Sequence, residues 1–129
     1  MSEKSYLLDA SALLALMLGE DGAEAVHAAL PHARVSTVNL SEVAAKLRER
    51  GVPEDVIAAS LAELDLTAIP FDRDQAMRAG FLRVDTKSAG LSLGDRACLA
   101  AAEATGAIAI TTDRSWKGLE LGIAIELAR

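Results

Sequence analysis

The stretch over residues 91–113, LSLGDRACLAAAEATGAIAITTD, constrains this chain more than any other. It reads as a capped helix, a tight turn and a buried strand in immediate succession. Ser92 is a good N-cap, and Asp95 stands three residues on, where a carboxylate can answer the helix's free N–H groups. Residues 97–104 are almost all strong helix formers, with Leu99 and Ala102 on one side. Gly106 then falls where helices turn left-handed and stop. The apolar run 107–110 suits a strand covered on both faces, and it ends in Thr111, Thr112 and Asp113. A helix that leads straight into a buried strand is half of a βαβ crossover, which points to a parallel sheet. One acid thus stands at a helix N-terminus and another just past a strand's carboxyl end, the ligand edge of an open α/β sheet.

The remainder of the chain repeats the pattern. Residues 5–8 read as a first strand closed by Asp9, followed by helices over 11–18 and 22–30, the second stopping before Pro31. Residues 35–38 read as a second strand. Asn39 is then expected to cap a helix over 40–50, with Glu42 at its third position and Gly51 at its end. Val52 and Pro53 open a helix to about residue 64, with proline in the first turn where its missing N–H does no harm. Residues 66–69 give a third strand, 72–82 a helix, 86–90 a polar loop, and 123–125 a short last strand. Strands alternating with helices predict a three-layer α/β/α domain around a central, mostly parallel sheet of four to five strands. The chain, residues 1–129, is expected to be one domain, being of ordinary domain size.

Composition narrows the function. The hydrophobic half of the chain is mostly Ala, Leu, Val and Ile, which favours helices on a sheet over an all-β sandwich. The net charge of −6 gives no global basic footprint for nucleic acid, although a metal-mediated contact with phosphates stays open. The single cysteine, Cys98, excludes an internal disulfide and reads as a small core residue. No apolar run reaches the roughly 20 residues of a membrane span. Asp9 interrupts the apolar N-terminal region where a signal peptide would be uniform, so a cytoplasmic protein is expected.

The candidate site residues are Asp9, Glu42, Asp95 and Asp113. Each has an ordinary structural reading: Asp9 and Asp113 as caps or Asx turns, Glu42 boxed with Asn39, Asp95 with Ser92. Together they say more. Asp9 and Asp113 follow apolar strands, so in a parallel sheet both emerge at one edge, and Glu42 and Asp95 open helices on that edge. Carboxylates gathered in a poorly solvated cleft repel each other, and a divalent cation offsets that repulsion. An all-oxygen set without Cys or His suits Mg²⁺ or Mn²⁺ and not Zn²⁺. His27 and His32 have no partner at ligand spacing and read as surface residues. The chain carries no phosphate-binding loop, dinucleotide fingerprint or nucleophile elbow, and Cys98 has no nearby histidine as base.

The segments Asp9-Ala-Ser11, Glu42, LSLGDRACLA from Leu91 and TTDRSW from Thr111 resemble the signature of PIN domains, in the form found in VapC-type toxins of type II toxin–antitoxin systems. The resemblance spans nearly the whole chain. It implies a metal-dependent endoribonuclease using Mg²⁺ or Mn²⁺, cutting single-stranded or looped RNA such as transfer RNA. It implies Asp9, Glu42, Asp95 and Asp113 as the catalytic, metal-holding carboxylates, with Ser11 and Thr111 as supporting hydroxyls. It further implies a homodimer and a VapB-like antitoxin partner whose C-terminal segment crosses the active-site groove. Arg96 and Arg114, next to two of the acids, and more weakly Arg83 and Lys87, are candidates for RNA phosphates. Trp116 could stack on a base but reads better as core. Leu13, Leu14, Met17, Val43, Ala44 and Leu47 could face a partner, or simply the core. The rival readings are a non-catalytic binding module of the same fold and a flap-type DNA nuclease. The latter needs a DNA-binding arch for which this chain has no room.

Overall fold

The structure, a computed structural model, describes residues 4–129. Its strands are β1 (Tyr6–Leu8), β2 (Ala33–Ser36), β3 (Thr67–Ile69), β4 (Ile108–Thr111) and β5 (Ile125–Leu127), in the spatial order β3-β2-β1-β4-β5. Every pairing is parallel, with Leu8 opposite both Val35 and Ile110. The helices are α1 (Ala10–Leu18), α2 (Ala23–Ala29), α3 (Thr37–Glu49), α4 (Glu54–Glu63), α5 (Arg73–Thr86) and α6 (Leu93–Thr105), with 3₁₀ turns at Leu30–His32 and Arg114–Trp116. The result is the three-layer α/β/α arrangement expected from the strand–helix alternation.

Strand alternation sorts the core into two apolar clusters. Leu8, Val35 and Ile110 face α1 to α4, packing with Leu13, Val26, Val43 and Ile57. Leu7 and Ala109 face the other way and pack with Leu82, Leu99 and Trp116. Leu7 and Leu8 are both fully buried, so β1 is covered on both faces, as a central parallel strand must be. Burying each such side chain is worth about 1.5–3 kcal/mol. The chain winds from β1 out to β3 and then crosses to β4 on the other side of β1. The strand order therefore reverses between β1 and β4, and a crevice at such a reversal, at the carboxyl ends of the strands, is where open α/β sheets bind ligands.

Several boundaries differ from the sequence expectation. The second strand is 33–36 instead of 35–38, and Ser36, not Asn39, caps α3 by accepting from the Val38 N–H. The pairing of Val35 with Leu8 ends β2 level with β1, so the β-branched Thr37 and Val38 are drawn into the helix despite their strand preference. Glu42 consequently lies in the second turn of α3. Pro53 occupies the N-cap of α4 and not its first turn. Helix α5 continues to Thr86, whose hydroxyl donates to the Leu82 carbonyl, and the last strand is 125–127, set by its register on β4.

Candidate active site

Asp9 follows β1 and caps α1, its Oδ1 accepting from the Ala12 N–H at 2.8 Å and from the Ser11 hydroxyl at 2.7 Å. Continuing the β1–β4 register past Leu8 and Ile110 sets Asp9 beside Thr111. The Thr111 hydroxyl donates to Asp9 Oδ2 at 2.5 Å. Ser11 in turn accepts from the Thr112 N–H, and Thr111 Oγ1 accepts from the Asp113 N–H, each at 3.0 Å. The predicted pair of supporting hydroxyls thus stitches the ends of two neighbouring strands around one carboxylate. Asp9 is only 2% exposed, and burial pushes its pKa from 3.8 up to about 6. The bonds from Thr111, Ala12 and Ser11 pull it down, and the charge of Asp95 pushes it up.

Asp95 is held by its own helix. Ser92 Oγ accepts from the Asp95 N–H, while Asp95 Oδ2 accepts from the Ser92 N–H, a reciprocal capping box. Partial burial raises its pKa, the Ser92 bonds and Arg96 lower it, and Asp113 raises it again. Asp113 caps the 3₁₀ turn after β4 through Ser115. Beneath them Cys98 is fully buried and contacts the Leu7 carbonyl. Burial and the charges of Asp9, Asp95 and Glu42 push its thiol well above the usual range, so it stays a neutral core residue. These mutual influences link the four acids into one electrostatic neighbourhood.

Glu42 pairs with Asn39, as the sequence suggested, and Asn39 makes a second contact, to Gly94, that sequence reading missed. The Asn39 amide donates to Glu42 Oε1 at 2.9 Å and to the Gly94 carbonyl at 3.0 Å, joining α3 to the first turn of α6. A β-carbon on Gly94 would overlap both oxygens of the Glu42 carboxylate. The available signal was the odd placement of a glycine in the first turn of an otherwise strong helix.

The other candidates scatter. Arg96 donates to the Ala79 carbonyl of α5, and Arg114 donates to the Arg129 carbonyl while Arg129 donates to that of Thr112. Arg83 and Lys87 are exposed at the end of α5, and His27 and His32 are exposed. Trp116 is 1% exposed within the core, out of reach of any base. Leu13, Leu14, Val43 and Leu47 are core, with Ala44 packed against it; Met17 and Leu47 also line a cavity of about 290 Å³ beside α4.

Among the described residues no three His, Cys, Asp or Glu side chains stand close enough to form a ready-made metal shell. The caps explain this, since Asp95 and Asp113 are turned toward their own turns. Yet each acid keeps oxygen lone pairs that no hydrogen bond uses: Glu42 Oε2, Asp95 Oδ1, Asp113 Oδ2 and one position on Asp9 Oδ2. An all-oxygen donor set of this kind fits a hard divalent cation, directly or through water.

Solved structures resemble the whole chain. A toxin–antitoxin complex from Klebsiella pneumoniae is 24% identical, with 97% of this chain and 98% of that chain covered and a TM-score of 0.79. DNA-bound VapBC from Salmonella typhimurium is 17% identical over 98% and 100% of the chains, at a TM-score of 0.74. VapC20 from Mycobacterium tuberculosis, described as a sarcin–ricin loop cleaving toxin, is 20% identical over 90% and 97%, at 0.69. At such identities these are likenesses of fold. A comparison with curated proteins finds no match. The model of the PIN domain matches residues 6–120, most of the chain and all four acids, and the chain accordingly belongs to the PIN-domain family.

Proposed function

We propose that this chain is a single-domain, VapC-type endoribonuclease toxin that hydrolyses RNA phosphodiester bonds with Mg²⁺ or Mn²⁺. The observation that carries the reading is the buried carboxylate of Asp9 at the strand-order reversal, with Asp95, Asp113 and Glu42 around it. A carboxylate raised to about 6 by burial gains from a cation that stabilises its ionised form. Asp9, Glu42, Asp95 and Asp113 are the proposed catalytic and metal-holding residues. A divalent cation held there supplies a polarised phosphodiester and a more acidic bound water.

The chain's own groups do the rest. Thr111 and Ser11 fix the Asp9 carboxylate so that its remaining lone pair points in one direction. The Ser92 box does the same for Asp95, and Asn39 for Glu42. Arg96, Arg114 and, more remotely, Arg83 and Lys87 are the cations proposed to meet RNA phosphates; Arg96 and Arg114 each give one nitrogen to a backbone carbonyl and keep other guanidinium donors. Relatives in fold are toxin–antitoxin complexes, which supports a VapB-like antitoxin as partner; the proposed working form is a homodimer. Among the described residues no helix is long and apolar enough to cross a membrane, in keeping with action on cytoplasmic RNA such as transfer RNA.

The test is cleavage of total RNA by the purified protein with Mg²⁺ or Mn²⁺ and with EDTA, beside Asp9→Asn and Asp95→Asn. Discrete cuts that need the metal and vanish in both variants are expected. Absence of cutting and of divalent-ion binding by the wild type would replace this reading with that of a non-catalytic module acting through its protein partner.

A further inference from the structure

We propose that Asn39 is a positioning residue, one that sets Glu42 in place and couples its position to Asp95; this rests on the nuclease reading given above. The single amide of Asn39 bridges two elements: one N–H goes to Glu42 on its own helix, the other to the carbonyl of Gly94, the residue before Asp95. Asn39 is 1% exposed, so water does not compete for these bonds. Its Oδ1 is buried with no partner. That orphan follows from the chemistry of the site. Turning the amide over would press Oδ1 against Glu42 Oε1 and the Gly94 carbonyl, three oxygens without a proton among them. The orientation that leaves Oδ1 alone is the one that serves Glu42.

Packing alone does not account for an amide here. A leucine has the same branched outline without a buried lone acceptor, and the Gly94 carbonyl, inside the first turn of α6, also faces its own helix's N–H groups. What leucine cannot supply is a donor for Glu42. Gly94 serves the same end from the opposite side, since a side chain there would take the space of the carboxylate. One residue therefore holds Glu42 by attraction and another admits it by vacancy.

The experiment compares Asn39→Leu, Gly94→Ala and Glu42→Ala with the wild type, singly and with Asn39→Leu combined with Glu42→Ala. Cleavage kinetics on an RNA cut by the wild type are measured with Mn²⁺, melting in EDTA, and hydrogen exchange of the Asn39 side-chain amide by NMR. Asn39→Leu is expected to lower kcat about 10- to 100-fold, the range for residues that support metal ligands. KM for RNA should stay within about twofold, because only a placed carboxylate is lost. In the Glu42→Ala background Asn39→Leu should add nothing, the signature of two residues acting as one. Gly94→Ala should show the same kcat loss while melting no lower, alanine being the better helix former. Wild-type kcat in Asn39→Leu, or full additivity with Glu42→Ala, overturns the proposal. If the wild type cuts no RNA, the nuclease reading fails, and the amide still decides: faster exchange in Glu42→Ala supports the clamp, and unchanged exchange overturns it.

Discussion

Two carboxylates of the site both stand at helix starts but differ in how far they depend on the rest of the fold. Beyond its local donors Ser11 and Ala12, Asp9 takes a further hydroxyl donor, Thr111, from another strand, 102 residues away, and is almost sealed from water. Asp95 accepts from the N–H of Ser92, three positions back, and keeps partial access to solvent. The first environment exists only when β1 and β4 are paired, whereas the second would persist in an isolated α6. The difference teaches which acid records the state of the whole fold and which merely records a helix start. Burial, the leading cause of both raised pKa values, is far more complete at Asp9.

The largest effect that can break this comparison is on chemistry. Asp9→Asn is expected to reduce RNA cleavage by at least about a thousandfold, and Asp95→Asn by about a hundredfold, with substitution of preorganised charged groups as the guide. Rates measured on one oligonucleotide decide the order. Equal losses would show that the two acids are equivalent in the reaction despite their different settings.

Stability against pH separates them next. A raised folded-state pKa means that the folded protein holds the Asp9 proton more tightly than the unfolded chain. The corresponding stability is present in full below pH 3.8 and is lost as pH rises through about 6. The loss amounts to about 3 kcal/mol for a shift of this size. Denaturant titrations in EDTA at pH 4.5 and 7.5 should therefore show Asp9→Asn flattening the pH dependence, and Mn²⁺ should restore stability to the wild type at the higher pH. A pH slope unchanged by Asp9→Asn would place the titrating group elsewhere.

Thr111→Val comes third, removing a donor to Asp9 and an acceptor for the Asp113 N–H. It should cost about 1–3 kcal/mol and about tenfold or more in divalent-ion affinity, read by calorimetry. Ser92→Ala is the smaller counterpart at the local site, expected to cost about 1 kcal/mol in melting experiments and a few-fold in rate. The least effect is expected from Arg78→Ala. Its two bonds to Glu103 tie α5 to α6, but both side chains are over a third exposed, so the change should be below about 1 kcal/mol.

The same contrast explains what could be read from the amino-acid order. Ser92, Asp95 and Gly106 were legible because their partners lie within one helical turn. Asp9 and Asp113 were legible as a pair because a parallel sheet sends strand ends to one edge, whatever the intervening chain does. Ser36 was missed because Thr37 and Val38 favour a strand locally, and only the register on β1 shows where β2 must stop. The Asn39–Gly94 contact, spanning 55 residues, leaves no periodic trace at all. Arg96 read as a phosphate contact from its neighbour Asp95; that one of its nitrogens ties down the Ala79 carbonyl follows from the packing of α5 on α6, which no local pattern shows.

The central place of β1 also sets a timetable. Chains emerge from the ribosome N-terminus first, so β1, β2 and β3 with their helices can assemble while one edge of β1 is still bare. Thr111 follows Asp9 by 102 residues, and Asp113, with Arg129, which ties down the loop carrying it, comes later still. Over that interval a nascent chain holds Asp9 and Glu42 without the groups that complete them. The setting of Asp9 is therefore finished only after β4 has followed β1 out of the ribosome and paired with it.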